Sequence, residues 1–190
     1  MAFSYADAEQ ALSAALAALE GPDDRIADSL DALPVPVYVT DRDGVITHFN
    51  RACTDFAGRE PVAGHDRWCV TWKLFSEDGE HLPHDQCPMA VSLREQREVR
   101  AIRAIAERPD GGRCMFEPFP TPFYDSEGSF AGAVNLFLEL AGHARIAELE
   151  QQALRCRLLA AGIRDQPTVA RLNLMADRYD SEARHLREQG

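Results

Sequence analysis

The chain has 190 residues, 45% hydrophobic and 27% charged, with a formal net charge of −11. That balance excludes a disordered or fibrous chain, and the acidic excess argues against nucleic acid or an anionic membrane surface as partner. From His143 onward eight Arg stand against seven Asp and Glu, which leaves twelve basic and twenty-four acidic residues before it. No apolar run reaches the roughly 20 residues that span a bilayer. Met1 to Leu19 carries Asp7 and Glu9 where an export signal is basic, so the expected location is the cytoplasm. Five cysteines (Cys53, Cys69, Cys87, Cys114, Cys156) in such a chain read as reduced thiols, mostly packed as small hydrophobes.

In chain order, Tyr5, Ala8, Leu12, Ala15 and Leu19 recur at spacings of three and four, the seam of a helix that Gly21-Pro22 ends. The seam serves equally as a face packed on its own domain or as a dimer contact through Leu12 and Leu19. Asp24 to Leu33 is a second short helix. At Val35, Val37 and Val39 the period changes to two, and with Val45 to Phe49 after the turn at Asp41 to Gly44 it predicts a β-hairpin. Asn50 is a suitable N-cap for a short helix through Phe56, stopped by Gly58.

Pro61 to Pro83 is irregular and rich in aromatics, and Pro88 to Gln96 predicts a helix with Asp85 as a candidate cap. Val99 to Ala106, Arg113 to Phe123 and Phe130 to Leu138 predict three more strands. Pro118, Pro120 and Pro122 lie two apart, so their missing N–H groups share one side, and that strand is expected to pair on both sides only near its start. Beyond Leu140 the helical period returns: Ile146, Leu149, Ala153, Cys156, Ala160 and Ile163 form one seam. Val169, Leu172, Ala176, Tyr179, Ala183 and Leu186 form another. The six-residue step between them, with Pro167 inside it, predicts two helices turning near Asp165 to Pro167, an antiparallel hairpin over His143 to Gln189.

The order of strands and helices is that of a PAS domain, and the residues agree. Val37-Tyr38-Val39-Thr40-Asp41-Arg42-Asp43-Gly44-Val45-Ile46-Thr47-His48-Phe49-Asn50-Arg51-Ala52 resembles the family's opening hairpin, and Asp125 to Asn135 resembles its last one. Trp68 to Phe75 followed by Leu82 to Ala90 is similar to PAS domains of bacterial sensor histidine kinases. The resemblance implies an α+β PAS fold with a five-stranded antiparallel sheet over residues 22–140. An N-terminal dimerisation helix over 1–21 and a C-terminal helical pair over 141–190 complete the expected layout. No kinase, cyclase or DNA-binding segment is recognisable after Leu140, so a stand-alone PAS protein is expected, acting in trans.

Trp68, Trp72, Phe75, Phe116 and Phe119 (with Phe123) are candidates to line an apolar ligand pocket, against a reading as plain core. Cys69, His81, His84 and Cys87 are candidate zinc ligands, and Cys87 a candidate haem ligand. The competing reading has Cys69 and Cys87 filling core and His84 bonding to backbone. The LOV-type run Asn-Cys-Arg-Phe-Leu is absent, which argues against flavin photochemistry. His143 and His185 read as solvated surface. No hydrolase elbow, P-loop or metalloprotease helix is present. The expected function is non-enzymatic: a homodimeric sensory protein contacting a sensor histidine kinase or similar partner through Leu12, Leu19, Ile146, Leu149, Leu172 and Tyr179, tuned by a small ligand. A haem- or metal-based redox or gas sensor using Cys69, His84 and Cys87 is the alternative. A hinge is expected at Ala141 and Gly142, because glycine weakens a helix.

Overall fold

The computed structural model describes residues 5–188. They divide into two compact units, one ending at Glu139 and one starting at Leu140. In chain order the first holds α1 (Tyr5–Leu19), α2 (Asp23–Asp31), β1 (Val37–Asp41), β2 (Ile46–Phe49) and α3 (Arg51–Ala57). Then come β3 (Lys73–Ser76), a 3-10 turn (His84–Gln86), α4 (Pro88–Glu95), β4 (Ala104–Glu107), β5 (Arg113–Pro118), β6 (Thr121–Tyr124) and β7 (Phe130–Glu139). The second unit is α5 (Ala141–Gly162) and α6 (Gln166–Glu188).

All pairings are antiparallel, in the order β2-β1-β7-β5-β4-β3, with β6 also on β7. β5 and β6 lie on β7 in one register: Phe116 faces Glu139 and Thr121 faces Val134, with no slip between. They are therefore one strand with a break at Phe119 and Pro120. The five expected strands are all present in part, and β3 adds a sixth position at the sheet edge, in the stretch read as irregular. β3 escapes a period-two reading because it is four residues long and only Leu74 in it is buried.

The proline edge behaves as expected. β4 pairs with Arg113 to Phe116 and stops there; beyond it β7 holds one side of the strand, and on the other the Val99 amide donates to the Pro120 carbonyl at 3.3 Å. The predicted strand from Val99 shortens to Ala104–Glu107 for the same reason, since prolines offer it no donors. Arg100 fills the gap: its guanidinium donates to the Pro120 carbonyl at 3.0 Å and the Thr121 hydroxyl at 2.8 Å, and stacks over the Phe119 ring at 5.4 Å.

Strand alternation sends β1 and β7 side chains to both faces. Val37, Val39, Val134 and Leu136 meet α1 and α2 on one face. Tyr38, Ala133 and Phe137 meet Ile46, Phe56, Leu74, Met89, Leu93 and Phe116 on the other, under α3 and α4. The α1 seam therefore packs within its own unit: Ala8, Leu12 and Ala15 are buried against the sheet, Leu19 packs on their edge, and the Tyr5 ring sits 5.0 Å from that of Phe119. Of the two readings of that seam, the structure places Leu12 and Leu19 in the intrachain one, because the outer sheet face needs a cover.

In the second unit the two heptad seams meet each other. Ile146 and Leu149 pack with Tyr179 and Ala183, and Ala153 and Cys156 with Leu172 and Ala176, so the helices run antiparallel. The turn is Ile163 to Asp165. Asp165 caps α6, its carboxylate accepting from the Thr168 amide at 3.0 Å and hydroxyl at 2.6 Å. Gln189 and the side chains of His143, His185 and Leu186 lie outside what is described. The helix starts at Ala141, two residues before the expected start near His143, so Ala141 and Gly142 are its first two residues and only Leu140 separates it from β7. The backbone at Leu140 (φ −97°, ψ 70°) makes the turn into the helix without a side-chain cap.

Candidate functional site

Two buried polar side chains build the frame of the first unit. Asn50 caps α3 as expected: its Oδ1 accepts from the Cys53 amide at 3.1 Å and the Val37 amide at 3.0 Å. Its Nδ2 donates to the carbonyls of Leu30 (3.1 Å) and Val35 (2.8 Å). One amide thus joins α2, the entry to β1, and α3. Asp85 does not cap α4. It sits in the 3-10 turn, Cys87 takes the cap position without a side-chain bond, and Pro88 in the first turn removes a donor that a cap would otherwise satisfy.

The second frame crosses the sheet. The Phe119 amide donates to Asn135 Oδ1 at 3.0 Å, Asn135 Nδ2 to the Tyr38 hydroxyl at 3.0 Å, and that hydroxyl to the Trp68 carbonyl at 2.7 Å. Trp68 is held at φ 62°, a left-handed conformation rare for a bulky residue. What permits it is Gly44. The Trp68 amide donates to the Gly44 carbonyl at 2.8 Å, and a Cβ at Gly44 would lie 2.6 Å from the indole ring. Arg67 lies over that ring at 4.8 Å and donates to the Asp43 carbonyl.

Against the indole opens a cleft of about 440 Å³, lined by Arg42, Asp43, Trp68, Asp85, Ala90, Leu93 and Arg94. Its volume suits a small molecule. The floor is indole, alanine and leucine, and the rim carries two guanidinium and two carboxylate groups. Only Trp68 was legible as a lining residue. The β1–β2 turn and the Ala90–Leu93–Arg94 side of α4 meet there through tertiary packing, with no linear signal.

The other expected lining residues do not join it. Phe116 is in the core, its ring 5.2 Å from Phe56 and 4.5 Å from Phe137. Phe119 is buried on the opposite face of the sheet, with Phe123 packed beside it. Phe116 and Phe119 are three residues apart, an odd separation that puts them on opposite faces of one strand. Phe75 lies half-buried on β3, under Arg113 and beside His81. Trp72 is 52% exposed.

Cys69, His84 and Cys87 are linked through other groups rather than converging on a centre. Cys69 Sγ is 3.2 Å from the Thr71 hydroxyl, which is 3.4 Å from His84 Nε2, while the Cys87 thiol points at the Trp68 carbonyl at 3.9 Å. His81 bridges to Phe75 on the sheet edge. Among the described residues no three His, Cys, Asp or Glu are placed to hold a metal ion. His84 bonds to the Thr71 side chain, where backbone was expected. Burial pushes the Cys53 and Cys87 thiols and the Tyr38 phenol well above their ordinary ranges and raises the Cys69 thiol too, so all four stay protonated. Burial, with Arg59 and His81 nearby, lowers the His84 pKa, which favours the neutral ring.

A sheet packed on both faces by helices, with a polar frame leading to a cleft at one end, defines an α+β domain. The sequence profile of the PAS fold matches residues 30–145, and the chain belongs to that family. No curated protein matches the chain. Among solved structures it is similar to the PAS domain of a protein from Colwellia psychrerythraea (14% identity, TM-score 0.39, covering 60% of this chain and 92% of that one). It is also similar to the Rhodobacter sphaeroides LOV protein (12% identity, TM-score 0.45, covering 96% and 99%). A third is the light-state dimer of the fungal blue-light photoreceptor Vivid (17% identity, TM-score 0.42, covering 54% and 76%). No helix among the described residues is long and apolar enough to cross a membrane.

Proposed function

We propose that this PAS protein is a non-enzymatic, cytoplasmic regulator that works as a homodimer and acts by contact on a signalling partner of the sensor histidine kinase type. A small ligand in the Trp68 cleft tunes it. One observation carries the reading. β7, the strand that pairs with β1, β5 and β6, continues into the α5–α6 pair after the single residue Leu140. A strain set by ligand at Trp68 reaches β7 through Tyr38 and Asn135, and β7 is covalently joined to the helices. A ligand need only prefer one of two arrangements of that frame to shift the output.

The test starts with affinity capture from the native cell, followed by an assay of any recovered kinase. Purified chain is expected to change the kinase's autophosphorylation rate, and Trp68→Ala to change the size of that effect. Recovery of no signalling protein, or a kinase rate that ignores the added chain, overturns the proposal.

A further inference from the structure

α5 carries two apolar stripes, and α6 covers only one of them. The first is the Ile146–Leu149–Ala153–Cys156–Ala160 seam, buried within the helical pair. The second, Leu154–Leu158–Ala161, has the same spacing of three and four, on the side turned away from α6. It is exposed throughout, Leu154 at 56% and Leu158 at 66%. Leu159, 59% exposed, adds to it from the flank. The last turn of α5, Leu158 to Ala161, is thus apolar on every side, the pattern of a helix end that is covered all round. On α6 the exposed apolar residues are Ala170, Leu174 and Met175, and Arg171, Asp177 and Arg178 interrupt them.

We propose that the Leu154–Leu158–Ala161 stripe is the contact surface for α5 of a second copy of this chain, the two hairpins packing into a four-helix bundle. It extends the homodimer of the proposed function by naming its interface, and rests on that reading for its signalling consequence alone.

Three features point to a second copy as the occupant. The stripe is uncharged and self-complementary, as a twofold interface requires. Two arginines flank the stripe: Arg157 is held by Asp180 at 2.5 Å and Asp177 at 3.3 Å in its own chain, and Arg155 stands exposed on the other side, at the rim of the contact. The charge distribution agrees: the segment from Leu140 has eight Arg and seven acids, whereas residues 1–139 have twelve basic and twenty-four acidic residues. Two such acidic units repel, whereas two near-neutral helical segments do not. The exposed Leu154, Leu158 and Ala161, with Leu159 on the flank, offer on the order of 300 Å² per chain, a patch size that marks interaction sites. That area suits a moderate rather than a permanent dimer, a standard interface being about 800 Å² per partner. Ridges of i and i+4 leucines packing on each other are a common helix-pair geometry.

Sedimentation velocity on the full chain, over a concentration series up to about 100 μM to suit a moderate interface, tests it. The wild type is expected to dimerise. Leu154→Glu with Leu158→Glu is expected to raise the dissociation constant more than about tenfold. Helix content by circular dichroism should hold, because both positions are exposed and Glu is as good a helix former as Leu. Val62→Glu, at an exposed apolar position of the first unit, should leave association unchanged. A wild type that stays monomeric overturns the inference. So does a double variant that dimerises like the wild type, or a Val62→Glu chain that dissociates as readily. In the last two cases kinase regulation stands or falls separately, by its own assay.

Discussion

Tyr38 and Asn135 face each other directly across β1 and β7, and the Asn135 amide donates to the Tyr38 hydroxyl at 3.0 Å in the interior of the sheet. Both side chains are buried, and each has a second partner that ends in backbone: Trp68 on one side and Phe119 on the other. Among the described residues no buried side-chain nitrogen or oxygen is left without a partner, so removing one member of this chain strands its neighbours.

Tyr38→Phe deletes the hydroxyl and leaves the Asn135 amide and the Trp68 carbonyl short of a partner. The expected loss is about 1–3 kcal/mol in urea denaturation with the m-value unchanged. Asn135→Leu in the Tyr38→Phe background should cost less than Asn135→Leu alone. Full additivity of the two would show that the hydroxyl and the amide act independently.

Asn50→Asp separates the two halves of the Asn50 frame. A carboxylate can still accept from Val37 and Cys53, but it cannot donate to the Leu30 and Val35 carbonyls, which it then faces with like partial charge. Asp is therefore expected to destabilise at least as much as Ala, by about 2–4 kcal/mol in thermal or urea unfolding. An Asp variant as stable as wild type would mean that the donor half of the frame contributes nothing.

Gly44→Ala tests the seat of Trp68. The residue needs φ 81° and its Cβ would meet the indole ring at 2.6 Å. Either the ring moves or the turn opens, so the Trp68 emission should shift and a stability loss of about 1–3 kcal/mol should appear. Trp72 is exposed and serves as an internal reference, best isolated by recording the same shift in a Trp72→Phe background. Unchanged emission would sink the claim that Gly44 fixes the cleft wall.

The pH dependence has a definite sign. His84 has a lower pKa folded than unfolded, chiefly through burial, so the unfolded chain binds more protons. Stability is then full above the unfolded value of about 6.5 and falls as pH drops through that value toward the folded one. The urea midpoint should decline between about pH 7 and pH 5, and His84→Gln should flatten that part of the curve. A slope that survives the substitution would assign the effect to other groups.

Much of the fold was legible because it is written in local patterns. The period-two run of β1, the Asn50 cap and Gly58 stop of α3, the three prolines and the break at Pro167 each act within a few residues. β3 was not legible, since four residues with one buried position carry no period. The start of α5 lies two residues before the expected one near His143, because glycine lowers helix stability by only about 1 kcal/mol and the residues that follow Gly142 outweigh it. Of the candidate site, Trp68 alone was found.

By itself the sequence determined the class of fold, the number of helices in each part, the proline edge and the near-neutral C-terminal pair, because periodicity, turn residues and charge are properties of the chain in one dimension. Only the tertiary structure decided which face each seam covers and what meets at Trp68. The α1 seam faces its own sheet and the α5 and α6 seams face each other, leaving the Leu154–Leu158 stripe outside. A stripe of leucines states that it must be covered, but not by what. The physical reason is that burial is nondirectional, and the choice of partner belongs to whichever apolar surface the rest of the fold brings within reach.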